Sequence, residues 1–332
     1  MARCRIYVLT YKRNHLLSRA IQSLLDQSFP DWVCEIHNDS PDDHFPESYI
    51  RSLNDPRFIV KNHDLNIGAV ASFNLTFAVC EEQYASILED DNWWQPDFLL
   101  EMVYLMDNNP AVNIAWSNMN LWEEMPGNEW KNTGKTIWPQ NKGVYAFKWP
   151  ENKQAMSALH SNGAMMFRSK TACNYVVPEK VFFNAIELVR ERSFEHPILL
   201  NNKPLANFAI TINTNRTNDP YIWIATQAML LASFVQASYD PQKTFIDSLD
   251  YYRTQEPNPL ANFFLANFLI IKNRSLYKYF KINDWFAITK WLVKHGYRLN
   301  YIKNYLKTQN ETYSFLLKKT RLRYQESNKG QA

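Results

Sequence analysis

Over the first 110 residues, short apolar runs alternate with segments of helical period, and this rhythm limits the fold more than any other feature. Arg5 to Leu9, Trp32 to His37, Phe58 to Lys61 and Tyr84 to Leu88 have the length and the β-branched or aromatic content of strands. Between them, His15 to Gln27 sets Leu16, Leu17, Ala20, Ile21, Leu24 and Leu25 on one helical face. Glu47 to Asn54 and Ala69 to Val79 read as further helices. Strand–helix alternation predicts an α/β fold with a mostly parallel, Rossmann-like sheet. Each strand runs into polar residues. Right-handed crossovers bring such ends to one sheet edge, so Thr10, Asp39, Asn66 and Asp91 are expected to line one pocket.

The fourth strand carries the densest chemistry. Tyr84 to Leu88 passes into Glu89-Asp90-Asp91-Asn92, and Pro96 precedes the next helix, Asp97 to Met102. Three adjacent carboxylates at a strand's carboxyl end repel one another, and a cation relieves that repulsion. Hard oxygen ligands suit Mg²⁺ or Mn²⁺, above all when substrate phosphates complete the shell. A solvated acidic turn is the competing reading.

Beyond residue 110 the pattern changes. Ala111 to Leu121 reads as a fifth strand, Trp122 to Trp149 as an irregular hairpin or loop, and Ala155 to Phe167 as a loop turning into a strand. Phe182 to Asn201 reads as two short helices around Ser193, and Ala206 to Ile212 as a strand. From Pro220 the chain is helical and aromatic. Tyr221 to Tyr239 lacks charge but carries Thr226, Gln227, Ser233, Gln236 and Ser238, which suits a buried helix better than a membrane span. The expected organisation is an α/β domain over 1–220, in two halves (1–110 and 111–220), and a helical region over 221–332.

Charge is uneven. The net charge is +3, yet residues 271–332 hold fourteen Lys and Arg against Asp284, Glu311 and Glu326. Lys278, Lys281, Lys290 and Lys294 are mixed with Tyr277, Trp285, Phe286 and Trp291. Such a segment either packs on its own domain with its lysines in water or lies on an anionic membrane surface. No base-reading motif supports nucleic acid as a partner.

Other classes fall away. Four scattered cysteines form no CxxC and read as buried free thiols in a reducing cytosol. The apolar run Ile6 to Leu9 is too short for a signal segment. No Gly-rich phosphate loop follows the first strand, which argues against a nucleotidyltransferase. His63 and His160 lie in loops near the expected pocket, as diphosphate contacts or as ordinary polar residues.

Five blocks in order, Ile6 to Arg13, Ala20 to Ser28, Glu35 to Ser40, Asn66 to Gly68 and Leu88 to Pro96, resemble the inverting family-2 glycosyltransferases of the GT-A fold. The resemblance covers about the first hundred residues and thins past Ala111. It implies that Thr10, Tyr11 and Arg13 line the nucleotide site and that Asp39 takes the uracil imide. Asn66 and Gly68 would shape the backbone beside the nucleotide, with Glu89 and Asp90 among the donor contacts. Asp91, with Glu89, would hold Mn²⁺ or Mg²⁺. A Glu at 89 and an Asn at 92 depart from the commoner acids. The general base is expected in Ser193-Phe194-Glu195-His196, with Glu195 the match and Glu187 and Glu191 as alternatives; His196 stands where a second acid is usual.

The function implied is metal-dependent, inverting transfer from a nucleotide-sugar, a UDP-sugar by this reading. The acceptor is a glycan or lipid-linked glycan of a surface polysaccharide, and the place is the cytoplasm at the inner face of a membrane. A nucleotidyltransferase acting on sugar phosphates and a non-catalytic nucleotide-sugar-binding scaffold are the alternatives.

Overall fold

The computed structural model describes residues 2–127, 129–140, 143–212, 219–255, 260–270 and 274–329. Parts of the expected 122–149 loop (Asn128, Asn141 and Lys142) and of the basic segment (271–273 and 330–332) lie outside the described residues.

Contacts divide the chain into two compact units. The first holds residues 1–147, 160–176 and 194–215; the second holds 148–159, 177–193 and 216–332. A cut at residue 220 does not reproduce this division, because two segments from the first two-thirds of the chain belong to the second unit.

In the first unit, β1 (Cys4–Thr10), α1 (Asn14–Leu25), β2 (Trp32–Asn38), α2 (Phe45–Leu53), β3 (Phe58–Asn62), α3 (Ala69–Leu75) and β4 (Tyr84–Glu89) follow the predicted alternation. A short β5 (Trp93–Trp94), α4 (Phe98–Asp107), β6 (Ile114–Met125), β7 (Glu129–Thr136), β8 (Val144–Phe147), β9 (Met165–Arg168) and β10 (Ile198–Ile210) complete it. The sheet runs β3-β2-β1-β4-β9-β6-β10-β5, with β7 on β6 and β8 on β10. β3, β2, β1 and β4 are mutually parallel, as are β6 and β10; β9 is antiparallel to both β4 and β6 and so keeps the two groups aligned.

The sheet is buried by side chains of α1 (Leu17, Ala20, Ile21, Leu24) and α4 (Phe98, Leu99, Met102, Met106), packed with Ile6, Val8, Ile36 and Leu88 of the strands. Removing one such aliphatic side chain costs about 2–5 kcal/mol.

Three sequence expectations change. The supposed irregular stretch after Leu121 is the β6–β7 hairpin plus β8. Phe182 to Asn201 holds a 3-10 turn (Phe183–Ala185) running into α5 (Ile186–Glu191), both before Ser193, and the start of β10 after it in place of a helix. Among the cysteines, Cys4 and Cys34 are buried as expected, but Cys173 is exposed and Cys80 half-buried.

The second unit is helical from residue 220. It contains α6 (Pro220–Ala237), α7 (Pro241–Arg253), α8 (Leu260–Leu269), α9 (Ile282–His295), α10 (Leu299–Thr308) and α11 (Asn310–Lys329), together with α5. Asp219 caps α6 by accepting from the Tyr221 and Ile222 amides. From Ala225 to Val235 every residue but Gln227 is buried, so the uncharged stretch is the unit's core helix. No helix among the described residues is long and apolar enough to cross a membrane.

Candidate active site

The parallel strands end in register. Thr10 pairs with Asn38, Asn38 with Asn62, and Leu9 with Glu89. The loops leaving β1, β2, β3 and β4 therefore meet at one edge, where open α/β sheets bind ligands.

Arg13 organises the acids there. Its guanidinium donates to Asp91 Oδ2 at 2.6 Å and forms an ion pair with Asp90. Asp90 is fully buried and Asp91 is 9% exposed. Burial pushes the Asp90 carboxyl up to about 7; Arg13 opposes that rise and Asp91 adds to it. Burial also works against the Arg13 charge, yet Asp90, Asp91 and Glu89 together raise its pKa. Lys12, between Tyr11 and Arg13, sits at φ 55°, a left-handed backbone that lysine rarely adopts. This turn leaves Tyr11 38% exposed at the rim.

Asp39 is held by the chain itself. Its Oδ1 accepts the Ile67 amide at 2.8 Å and contacts His63 Nδ1 at 3.0 Å; its Oδ2 accepts the Gly68 amide at 3.1 Å. Asn66 Nδ2 donates to the Asp39 carbonyl at 3.2 Å. Gly68 has φ 80°, so the loop turns where only glycine does so without strain. Asp39 thus fixes the 63–68 loop against β2. His63 continues a polar chain through His37 (3.0 Å) to Glu35 (2.9 Å) and Arg5 (3.0 Å). The diphosphate reading of His63 gives way here to a structural one.

Glu89 accepts from Asn92 Nδ2 at 2.7 Å, while Asn92 Oδ1 accepts the Ala209 amide of β10 at 3.0 Å. Gly163 lies against this pair: a Cβ there would stand 2.7 Å from Asn92 Nδ2 and 2.9 Å from Glu89 Oε2. Arg19 of α1 donates to the Asp91 carbonyl at 2.8 Å, with its guanidinium 3.8 Å from the ring centroids of both Trp93 and Trp130. Burial lowers its pKa to about 10. Sequence reasoning missed Arg19, Asn92 as a brace, and Gly163. Gly163 left one signal, a glycine directly before a strand in a chain with only 7.

Glu195 is not brought to this edge. Its Oε2 accepts from Tyr175 Oη at 2.6 Å and from Asn113 Nδ2 at 3.4 Å. Asn113 directly precedes β6, its carbonyl accepts the Arg168 amide, and Arg168 pairs with Tyr84, the first residue of β4. Glu195 therefore lies at the amino-terminal edge, about 17 Å of strand from Glu89. The sequence placed it beside a helix start, whereas the chain there enters β10. Glu191 is 2% exposed and accepts from Gln154 Nε2 and the Leu159 amide, both within the second unit. Glu187 lies in the first turn of α5 and keeps part of its surface exposed. His160 is 5% exposed and packs edge-on against Phe194.

The carboxylates at this edge suit a divalent cation. Asp91 and Glu89 supply hard oxygens at this sheet edge, and Arg13 shows that cationic charge is accommodated between Asp90 and Asp91. Among the described residues no three His, Cys, Asp or Glu converge as a complete protein cage. An ion held largely by substrate phosphates needs only one or two carboxylates.

Comparison with known proteins follows the same lines. The profile of glycosyl transferase family 2 matches residues 6–172. An Escherichia coli (strain K12) protein named for a glycosyl transferase of colanic acid biosynthesis, WcaA, is 35% identical over 116 residues. That match takes in 35% of this chain and 41% of WcaA, so the chain spans about two-fifths of that relative's length. Among solved structures, S. aureus TarS 1-349 superposes with a TM-score of 0.54 at 11% identity, over 99% of this chain and 92% of TarS. Its complex with UDP-GlcNAc gives 0.56, again at 11% identity, with the same coverage. At that identity the likeness concerns the GT-A fold alone. With the family profile spanning half of the chain and Thr10, Asp39, Asp90 and Asp91 gathered at one sheet edge, the protein belongs to glycosyl transferase family 2.

Proposed function

We propose that the protein moves a sugar from a UDP-sugar to a hydroxyl of a glycan, with inversion and with a divalent metal. The observation that carries this reading is the convergence of Thr10, Asp39, Asp90 and Asp91 at the carboxyl edge of one parallel sheet. The TarS structure in complex with UDP-GlcNAc supports a uridine nucleotide as donor. The WcaA name supports surface polysaccharide as product. A lipid-linked acceptor at the inner face of a membrane belongs to the same reading, through the basic C-terminal region.

Thr10, Tyr11, Asn66 and Gly68 bound the base and ribose. Asp39 acts here by holding the Ile67–Gly68 backbone in place and by offering its remaining lone pairs to the uracil imide. Asp91, with Glu89, would hold Mn²⁺ or Mg²⁺, which when bound neutralises charge building on the leaving diphosphate. Arg13 keeps the charge of Asp90 and Asp91 compensated, and Arg19 fixes the main chain of Asp91. One-step inversion needs a base on the acceptor side. Of the three carboxylates in its expected segment, Glu195 is at the far edge of the sheet, and Glu187 and Glu191 belong to the second unit.

UDP release from a panel of UDP-sugars, with and without Mn²⁺, tests this directly. The wild type should release UDP in a Mn²⁺-dependent way, and Asp91→Ala should abolish both release and Mn²⁺-dependent UDP binding. Near-normal turnover in Asp91→Ala would sink the metal assignment.

A further inference from the structure

The second unit has an apolar face that its own core does not use. α9 is anchored by Asp284 and Ile288, which are 5% and 0% exposed. Its outer side is not polar, as an ordinary surface helix would be. Ile282, Phe286 and Val293 are 70%, 69% and 84% exposed, and Tyr297, in the turn that follows, is 72% exposed. At 3.6 residues per turn, the first three fall within about 40° of one another, roughly opposite the Asp284–Ile288 line. A chain of ring contacts, Trp285 with Tyr277 (5.9 Å), Tyr277 with Phe264 (5.7 Å) and Phe264 with Phe268 (5.4 Å), extends the face onto α8, where Phe268 is 68% exposed.

Along residues 274–310 the exposed charge has one sign. Lys278, Lys281, Lys290, Lys294 and Arg298 are all exposed. The one acid in 274–310, Asp284, is buried and paired with Arg253. On α9 itself, Lys290 and Lys294 lie to one side of the apolar row, about 60° and 100° from its centre.

We propose that this face seats the protein on an anionic lipid bilayer. Ile282, Phe286 and Val293 would enter the headgroup boundary while the lysines reach lipid phosphates. Charge decides the occupant. A second copy meeting the same face about a twofold axis would oppose like charges. Nucleic acid would satisfy the lysines and leave Phe286 and Val293 in water. No helix among the described residues is long and apolar enough to cross a membrane, so α9 would lie along the surface. The inference rests on the lipid-linked acceptor reading for its purpose, which is to hold the enzyme where that acceptor is.

Flotation of the full-length protein with phosphatidylcholine vesicles, with and without phosphatidylglycerol, tests it. The wild type should float only with the anionic vesicles and detach at high salt. Phe286→Asp with Val293→Asp, and separately Lys290→Glu with Lys294→Glu, should each cut the bound fraction tenfold or more, with circular dichroism unchanged. UDP release with a soluble acceptor should be unaffected in both. Equal flotation with neutral vesicles, or wild-type flotation by the Lys→Glu variant, overturns the proposal. So does a concentration-dependent dimer that Phe286→Asp abolishes in a protein that never floats. Lost flotation with intact UDP release removes only the docking surface; lost UDP release with intact flotation removes only the enzymatic reading.

Discussion

Arg13 sits between two acids that could not share so small a volume without it. Asp90 has no exposed surface, and burial holds its carboxyl near 7 despite the guanidinium. The folded protein therefore keeps a proton that the unfolded chain, at the ordinary value of 3.8, gives up. Stability from this group is full below that value, falls as pH rises, and is lost above about 7. Asp90→Asn should flatten the decline in melting temperature between pH 4 and 7; an unchanged slope would show that Asp90 is charged throughout. Glu195→Gln should leave the transfer rate within about twofold, because the side chain serves Tyr175 and Asn113 at the amino edge. It should cost about 1 kcal/mol of stability. Loss of turnover with normal folding would return Glu195 to the reaction.

At the scale of elements, the decisive contact is between β4 and the turn before β9. Gly163 leaves room for Asn92 to reach both Glu89 and the Ala209 amide. Asn92 is 1% exposed and cannot swing aside cheaply. Gly163→Ala should cost about 1–3 kcal/mol of overpacking, shift Glu89, and reduce transfer more than UDP affinity. An alanine variant with wild-type kinetics and stability would show that the turn yields. The αβ rhythm of β1 to β4 was legible because each strand is buried and apolar with a polar exit. β5, two residues long, was not legible, because its order comes from pairing with distant β10; the hairpin after Leu121 was read only as irregular, without the β6–β7 register.

At the scale of the molecule, the two units interleave along the chain. In the second unit Arg192 donates to the Gln154 and Leu230 carbonyls, and Tyr252 donates to the Lys153 carbonyl. Trp149, Ala155 and Met156 share a core with α6 to α8. A fragment ending at residue 220 leaves 148–159 and 177–193 without these partners. It should aggregate, or be cut by protease within those segments, where the full chain resists. A soluble, protease-resistant 1–220 fragment would show that the first unit closes without them.

Three things followed from the sequence alone: the parallel half of the sheet, the gathering of Thr10, Asp39, Asn66 and Asp91 at its carboxyl edge, and a helical C-terminal region. Each rests on local period and on the fixed hand of βαβ crossovers, which need no knowledge of distant contacts. Only the tertiary structure decided which edge Glu195 occupies, which side chains Asp39 and Arg13 hold, and which face of α9 is left bare. Those depend on strand order and on packing between residues up to a hundred positions apart, and no periodicity in the chain encodes them.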